Sequence, residues 1–152
     1  MGNFLHVDVN TNNLRKAVNA APEKIIDTMH RSLARSAIKS QDLFRLKMPV
    51  GVSGFLRQHV SYHWNNRLSV TVEPTAPYAD YVEYGTRPHW TSVHNLESWA
   101  RLKGINPYAL QRSIAKKGTK PHPYLAFVSF YTAKYAANDM EQSLKTAIKE
   151  II

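Results

Sequence analysis

Histidine and carboxylate side chains are the residues of this sequence that could support metal or acid–base chemistry. Seven histidines are present but no cysteine, which excludes disulfides, thiolate metal sites and cysteine nucleophiles. His89, His94 and His122 could converge on Asp80 or Glu83, yet their spacing matches no established set of metal ligands. A small metal-dependent hydrolase around Glu83, His89 and His122 therefore stays an alternative, whereas the residues favour a protein with no enzyme activity, no metal and no cofactor.

Other signs of catalysis are equally weak. His59 and His63 fall on the polar face of a predicted strand, where their spacing separates them by about 13 Å, too far to share one ion. No serine lies in a nucleophile elbow, and no glycine-rich loop has the spacing that holds phosphates. The sequence therefore disfavours an enzyme.

Positive charge is concentrated in one part of the sequence. The formal net charge is +9, and residues 101–120 hold six basic residues without an acidic one. These residues are Arg101, Lys103, Arg112, Lys116, Lys117 and Lys120. Such a field attracts polyanions or an acidic protein surface, and added salt weakens it. The pattern indicates either a basic patch that faces a partner or an ordinary solvated helical surface.

Helical periodicity accounts for much of the chain. Capping residues at Asn10–Asn13 precede a short helix, and a long amphipathic helix follows over about 22–47. A helical hairpin is predicted over 92–118 and a C-terminal helix over 124–151, with a slip in its apolar phase near Asn138. The apolar face predicted for the long helix consists of Ile26, Met29, Leu33, Ala37 and Phe44. Its opposite, solvated face is predicted to carry Lys24, Arg31, Arg35, Lys39 and Arg45.

Alternating apolar residues predict a β-hairpin over 58–73. Val60, Tyr62 and Trp64 form one apolar row, and the pair Asn65-Asn66 is predicted to form the turn because asparagine tolerates a positive φ. Two strands alone are marginal in water. The sheet therefore needs a helix on its apolar face and further strands, either from elsewhere in this chain or from neighbouring subunits.

Residues 77–89 form the densest motif of the sequence, with three tyrosines, two carboxylates and a Gly-Thr turn. Helical spacing predicts a short helical motif over 77–85, and Gly85 is predicted to end it in the left-handed conformation. We expect Gly85→Val to disrupt folding or assembly, because a β-branched residue adopts a positive φ at high cost. The residues predicted to face the core are Tyr78, Tyr81 and Val82, and those predicted to face outward are Asp80, Glu83 and Tyr84. The alternative is a packed amphipathic turn without chemistry.

Length and hydropathy limit the class of protein. A chain of 152 residues is enough for one domain with its own core. No apolar run approaches the roughly 20 residues of a transmembrane helix, and residues 1–6 lack the pattern of a secretory leader. We therefore expect a single domain over residues 1–152 that is made in the cytoplasm and does not bind a membrane. The predicted fold class is α+β, with long N-terminal and C-terminal helices packed on a small antiparallel β-sheet and an inserted helical hairpin.

Three segments together resemble one protein family. Residues 49–57, PVGVSGFLR, resemble the family pattern PVxxTGxLR; residues 78–86, YADYVEYGT, resemble YAxYVEFGT; and residues 117–125, KGTKPHPYL, resemble a basic residue followed by GTxxxPFL. In these segments the chain is similar to the tail-completion, or head–tail joining, proteins of long-tailed bacteriophages. The differences are modest, since Ser53 replaces threonine and tyrosine replaces phenylalanine in the second and third segments.

The resemblance implies a structural virion protein. Its expected role is to form a homo-oligomeric ring, most often a hexamer, in the neck between the head connector and the tail, after assembly in the host cytoplasm. The expected partners are copies of itself, the head connector or stopper proteins, the tail tube or tail terminator protein, and the genome DNA that crosses the lumen transiently. The residues expected to serve folding and assembly are Tyr78, Asp80, Tyr81, Glu83, Tyr84, Gly85 and Thr86.

The basic residues have two possible roles in such a ring. They could face an acidic partner in the neck or line the lumen, and because tight DNA binding would hinder passage of the genome, we favour the protein partner. A small basic nucleic-acid-binding module that uses residues 101–120 is the second hypothesis. It predicts DNA affinity that survives near-physiological salt and falls when Lys116 and Lys117 become glutamate.

Overall fold

The computed structural model describes residues 11–152, of which 67% are helical. The predictions made for residues 1–6 and for Asn10 lie outside the described residues. Within the described part, the elements in chain order are α1 (Thr11–Ala20), α2 (Pro22–Lys47), α3 (Phe55–Gln58), β1 (Val60–Asn66), β2 (Ser69–Pro74), α4 (Ala79–Tyr84), α5 (Val93–Lys103), α6 (Pro107–Lys117) and α7 (Leu125–Ile151). β1 and β2 form a two-stranded antiparallel sheet, and the predicted α+β class is confirmed.

The chain divides into two compact units. Among the described residues, the first unit comprises 11–43, 62–73 and 128–152, and the second unit comprises 44–61 and 74–127. The first unit therefore holds α1, most of α2, most of the sheet and most of α7. The second unit holds α3 to α6 with their connections.

A small apolar core joins the three helices of the first unit. Ala17 of α1 and Ile25 of α2 are buried with Leu144, Ala147 and Ile148 of α7. The partly buried side chains packed against them are Leu14, Met29, Met140 and Ile151. Full burial of a leucine or isoleucine side chain contributes about 1.5–3 kcal/mol. This cluster therefore contributes to holding α1 and α2 against α7.

Small hydroxyl residues form the most buried row of α2 within the first unit. They recur at every fourth residue and are Thr28, Ser32, Ser36 and Ser40. Thr28 Oγ1 donates to the carbonyl of Lys24 at 2.7 Å, and Ser36 Oγ donates to the carbonyl of Ser32 at 3.0 Å. Ile26 and Met29, which were assigned to the apolar face, are only partly buried. The predicted face was incomplete because hydroxyls that are hydrogen-bonded locally are buried at little cost.

Asp139 explains the slip in apolar phase predicted within α7. Its carboxylate accepts hydrogen bonds from Ser32 Oγ at 2.6 Å and from Arg35 Nη2 at 2.8 Å. Burial alone would raise the pKa of Asp139, but the hydrogen bonds from Arg35 and Ser32 and the charge of Arg35 lower it below its ordinary value. Lys24 likewise lies 2.9 Å from Glu150. The face of α2 that was predicted to be solvated therefore pairs two of its cations with α7.

The β-hairpin turns one dipeptide later than predicted. Asn65 and Asn66 belong to β1, and the turn is Arg67-Leu68. Across residues 11–152 no residue other than glycine has a positive φ, so the prediction of an Asn-Asn turn was wrong. Asn66 Oδ1 instead accepts a hydrogen bond from the backbone N–H of Leu68 at 2.9 Å, which stabilises the turn without a positive φ.

Contacts with α2 hold this turn in place within the first unit. The guanidinium of Arg67 lies 2.9 Å from Glu23 and 2.6 Å from Asp27. His30 Nδ1 donates to the carbonyl of Arg67 at 2.7 Å, and the His30 ring stacks on Trp64 with centroids 4.1 Å apart. Exposed ion pairs contribute little individually, so the stacked rings supply the better-packed part of this contact.

The second unit has buried residues of its own. Phe44, Met48, Leu56 and Tyr124 are all buried, and the rings of Phe44 and Tyr124 meet edge to face with centroids 6.0 Å apart. Arg57 Nε donates to the carbonyl of Met48 at 2.6 Å, which ties α3 to the residue that follows α2. In the part of the chain that the structure describes, no helix combines the length and the apolar character needed to cross a membrane.

Candidate assembly site

The central motif presents its tyrosines outward and one of its acids inward. Ala79 and Glu83 are the buried residues of α4, whereas Tyr78, Tyr81 and Tyr84 are 40%, 63% and 70% exposed. Ala79 and Glu83 lie four residues apart and therefore share one face of the helix. Asp80 and Tyr84 face outward as predicted, but the predicted orientation was wrong for Tyr78, Tyr81 and Glu83. The apolar character of tyrosine had pointed to the core, and a carboxylate was assumed to need water.

Glu83 is buried because it caps the N-terminus of α7. Its Oε2 accepts hydrogen bonds from the backbone N–H groups of Tyr124 at 2.7 Å and Leu125 at 3.2 Å. The first N–H groups of a helix have no partner within the helix, and the positive end of the helix dipole favours a carboxylate. One side chain therefore joins the central motif to the beginning of the C-terminal helix.

Tyr124 completes this joint from the other side. Its side chain is 2% exposed, and its hydroxyl donates to the carbonyl of Ala79 at 3.0 Å. Burial, together with the charges of Glu83 and Asp80, raises the pKa of Tyr124 to about 12. The hydroxyl therefore stays protonated and continues to donate throughout the physiological pH range. α4 and the residues that begin α7 are thus connected by hydrogen bonds in both directions.

Two Gly-Thr pairs meet beside this joint. Thr86 and Thr119 form an antiparallel bridge, with N–H to oxygen distances of 3.3 and 3.2 Å and their hydroxyl oxygens 3.0 Å apart. A Cβ atom on Gly85 would lie 2.5 Å from the carbonyl oxygen of Thr119, and one on Gly118 would lie 1.9 Å from that of Thr86. Gly85 and Gly118 also have φ values of 73° and 71°. Both positions therefore require glycine for conformation and for space.

Gly85 combines a correct prediction with an incorrect one. Its φ is positive, as the sequence predicted. Its ψ is −178°, however, so the residue is extended rather than left-handed helical. This region of backbone conformation is essentially limited to glycine, which strengthens the reason for expecting Gly85→Val to disrupt folding.

The inserted helical hairpin is built from α5 and α6. Asn106 Oδ1 caps α6 by accepting hydrogen bonds from the N–H groups of Tyr108 at 2.9 Å and Ala109 at 3.3 Å. Ala100 and Ile114 are the buried residues of the two helices. Short helices with one buried residue each leave most of their side chains at the surface.

The predicted basic residues all lie on or just after this hairpin and are exposed. None of them forms an ion pair with another residue of the described chain. We call this set the basic patch, and it consists of Arg101, Lys103, Arg112, Lys116, Lys117 and Lys120. Cations without a counter-charge retain their full attraction for an external anion, subject to screening by salt.

A groove of about 650 Å³ is lined by residues of α4, α5 and α6 and of the segments that follow α4 and α6. We call it the α4–α6 groove. Its apolar lining is formed by Val82, Leu96, Trp99, Leu110 and Ile114, and its polar lining includes His89, Lys120 and His122. Tyr78 and Tyr81 also line it. The groove therefore brings the central motif and one member of the basic patch to the same surface.

Comparison with known protein families finds a match over α1 to α4. Residues 12–85 match the HK97-gp10-like family. That family is described as "Bacteriophage HK97-gp10, putative tail-component". No curated protein and no solved structure matches the chain. The match covers just under half of the chain, and over that part it confirms the resemblance to phage tail proteins.

The matched region ends at Gly85, within the central motif. The helical hairpin, the Gly118-Thr119 pair and Tyr124 follow it in the chain. Glu83 lies inside the matched region and its hydrogen-bond partners lie outside. The interpretation of the hairpin and the groove therefore depends on the structure, since the family match does not cover them.

Within residues 11–152, the residues of the hydrolase alternative are not gathered into a set that could hold a metal ion. His59 follows α3 instead of lying in a strand, and its Nδ1 donates to the carbonyl of Phe55 at 2.8 Å. Glu83, the carboxylate of the hydrolase alternative, is bonded to backbone N–H groups. Among residues 11–152, no three histidine or acidic side chains lie close enough together to hold a metal ion.

Sequence reasoning missed the joint between Glu83 and Tyr124. A signal was nevertheless present, because a small residue at Ala79 lies one helical turn before Glu83 and marks a face that can approach another element closely. The repeated Gly-Thr pair, at Gly85 and again at Gly118, was a second signal. Both signals indicate close approach of backbone, which periodicity alone does not detect.

Proposed function

We propose that this protein is a phage tail component that forms a hexameric ring in the neck of the virion, where it completes the tail and joins it to the head connector around the DNA channel. The observation that carries the proposal is the family match over residues 12–85. The three-segment resemblance to head–tail joining proteins supports the more specific position in the neck. The proposed partners are copies of itself, the connector or stopper proteins, and the tail tube or terminator protein, with the genome crossing the lumen.

The small sheet supports assembly with neighbouring subunits. Within residues 11–152 the sheet has two strands, so each strand has one edge without a strand beside it. Unpaired edges are normally covered or are paired by another chain. Identical subunits in a closed ring offer such pairing, because each head-to-tail contact repeats around the ring.

The central motif has two parts in this proposal. One part maintains the second unit through side-chain and backbone contacts and consists of Glu83, Gly85 and Thr86. The other part is exposed and available to neighbouring proteins and consists of Tyr78, Asp80, Tyr81 and Tyr84. A substitution in the first part is expected to affect folding, whereas one in the second is expected to affect assembly alone.

One observation favours a second candidate function, a small nucleic-acid-binding module. The basic patch is exposed and has no ion pairs within the described chain. Phosphate groups would therefore find cations that no carboxylate of residues 11–152 neutralises. Against this candidate, tight binding to DNA would oppose passage of the genome through a neck.

The two candidates differ in the mass of the protein in solution. Light scattering after size exclusion would give this mass at low and moderate salt, with and without duplex DNA, and negative-stain electron microscopy would show the shape. We expect a discrete ring-shaped oligomer whose mass does not change with DNA at moderate salt. A monomer that also fails to bind tails lacking the protein would contradict the ring.

A stable stoichiometric DNA complex at moderate salt would support the nucleic-acid-binding module instead. That complex should then be lost in the double variant Lys116→Glu/Lys117→Glu. The matched control is Arg15→Glu/Lys16→Glu, which makes the same change of charge at exposed positions of α1 in the first unit. Equal loss of DNA binding in both variants would indicate a general effect of net charge.

A further inference from the structure

We propose that the α4–α6 groove binds an amphipathic segment of a different protein, with apolar side chains on one face and acidic side chains around them. The inference rests on the proposed function in one respect, namely that the partner is another virion protein. It adds the location of the contact and the chemistry of the partner.

The lining of the groove selects apolar side chains. Val82, Leu96, Leu110 and Ile114 contribute aliphatic surface, and Trp99 contributes an indole ring that is 37% exposed. Tyr81 also lines this groove, and 63% of its surface is exposed. Tryptophan and tyrosine at the edge of an apolar concavity are typical of the residues that dominate binding energy. An apolar side chain of a partner would therefore make most of its contacts with the residues that line this groove.

The charge around the groove selects acidic groups. In the second unit, the six cations of the basic patch are joined by Arg45, Lys47, Arg57 and Arg87, while its acidic residues are Asp80, Glu83 and Glu97. Glu83 is buried, and its carboxylate already accepts a hydrogen bond at the N-terminus of α7. Lys120 lines the groove itself, and Lys116 lies on α6 between the groove residues of that helix and Lys120. A partner whose apolar residues are flanked by carboxylates would complement both features.

A second copy of this chain does not offer that complement. Most carboxylates of the first unit already have cationic partners, and the pairs are Lys24–Glu150, Arg67–Glu23, Arg67–Asp27, Arg35–Asp139 and Lys145–Glu141. Asp42 is also engaged in an interaction. An identical subunit would have to break these pairs to present an acidic surface. The charge therefore favours a partner with a different sequence.

Duplex DNA would complement the basic patch but not the apolar lining of the groove. Phosphates would be attracted to the basic patch, but an apolar groove gives no advantage to a phosphate backbone. An acidic amphipathic segment uses the cations and the groove together. Helices of this kind commonly bind apolar grooves through side chains spaced at i, i+3, i+4 and i+7.

Fluorescence anisotropy with three labelled synthetic peptides and the full-length protein tests the proposal. The first peptide places leucine and phenylalanine at those helical spacings and glutamate elsewhere, the second has the same composition in scrambled order, and the third has lysine in place of glutamate. We expect the first peptide to bind at least about tenfold more tightly than either control, with an affinity that falls as salt is added.

Matched variants separate the groove from the charge. Tyr81→Ser is expected to weaken binding of the first peptide by about tenfold, whereas Tyr84→Ser, on the same helix but outside the groove lining, should leave it unchanged. The double variant Lys116→Glu/Lys117→Glu should also weaken binding. Arg15→Glu/Lys16→Glu, the same charge change in the first unit, should have a smaller effect.

Several outcomes would overturn the proposal. No binding of the first peptide, or equal binding of the scrambled one, would leave no role for the apolar groove. Displacement of the peptide by equimolar DNA would make the surface a nucleic-acid interface, and self-association that Tyr81→Ser abolishes would make it a contact between copies. Ring formation is measured separately by light scattering. A monomer that binds the first peptide would contradict the ring alone, and a ring that does not bind it would contradict the groove alone.

Discussion

In the first unit, many exposed charges have a partner of opposite sign, whereas the six cations of the basic patch in the second unit have none within the described chain. Aromatic side chains show this contrast only in part, because Phe130 of the first unit is itself 58% exposed. In the first unit, Trp64 stacks on His30. In the second unit, Tyr81, Tyr84 and Trp90 are each more than half exposed. The comparison indicates that many charged side chains of the first unit are paired within that unit, while the second unit retains unpaired cations and exposed aromatic surface that a partner could use.

The two units also differ in what holds them together. In the first unit, side chains on different elements pair with each other, as Arg35 does with Asp139. In the second unit, side chains and backbone meet closely at the Gly85 and Gly118 positions and at the Glu83 cap. Paired side chains can adjust when one partner changes, but backbone at contact distance cannot. The second unit should therefore be more sensitive to small substitutions at a few positions.

The largest effect should follow from filling the space at the paired glycines. Gly118→Ala places a Cβ atom 1.9 Å from the carbonyl oxygen of Thr86 at a positive φ, so we expect a loss of about 3 kcal/mol or more, and Gly85→Val should be similarly severe. Denaturant unfolding followed by near-ultraviolet circular dichroism would measure the loss. Gly51→Ala is the control, because a Cβ atom there meets nothing within 4 Å. An equal loss in the control would contradict the requirement for close backbone approach.

The next effect should come from the buried cap. Glu83→Gln removes the charge that faces the N-terminus of α7 and replaces one of the two accepting oxygens by an amide nitrogen that cannot accept a hydrogen bond, for an expected loss of about 2 kcal/mol. Asp80→Asn on the exposed side of α4 should change stability by less than about 0.5 kcal/mol. Both are measured by urea unfolding at neutral pH. Similar values for the two variants would mean that Glu83 acts as an ordinary surface carboxylate.

A smaller, pH-dependent effect is expected in the first unit. The pKa of folded Asp139 lies below its ordinary value of 3.8, so its contribution is complete above that value and is lost as pH falls through 3.8 and the lower folded-state pKa. Asp139→Asn should therefore cost about 1 kcal/mol at neutral pH, and this cost should shrink as the pH falls below 3.8. Unfolding free energies of the protein and the variant across this range provide the measurement. A difference independent of pH would show that the charge of Asp139 is not what Arg35 and Ser32 stabilise.

The smallest effect on stability should come from the exposed tyrosines. Tyr81→Ser and Tyr84→Ser are expected to change the free energy of unfolding by less than about 0.5 kcal/mol each, because both side chains are largely solvated. Thermal melts of the two variants would measure this. A large loss of unfolding free energy in either variant would indicate that the tyrosine packs within the second unit. That result would weaken the view that the exposed tyrosines of the second unit are free to contact a partner.

Local signals in the sequence were sufficient for most helices and their ends, although the short helix α3 was not predicted. The bounds of α2, the cap at Asn106 and the stop at Gly104 follow from proline, asparagine and glycine chemistry that acts within one turn of helix. The hairpin strands were also predicted, but their turn was displaced, because Arg67 contacts Asp27 of α2, forty residues earlier in the chain. A contact of that separation leaves no trace in local periodicity.

The arrangement of side chains in the candidate site could be predicted from the sequence less completely than the helices could. By itself, the sequence determined the tail-protein resemblance, the position of the central motif, the six basic residues and the positive φ of Gly85. The tertiary structure alone decided that Glu83 faces inward, that Tyr81 faces outward and that both Gly-Thr pairs meet. The physical reason is that a buried carboxylate is stable only where distant N–H groups satisfy it, and those of Tyr124 and Leu125 reach Glu83 only once the chain has folded.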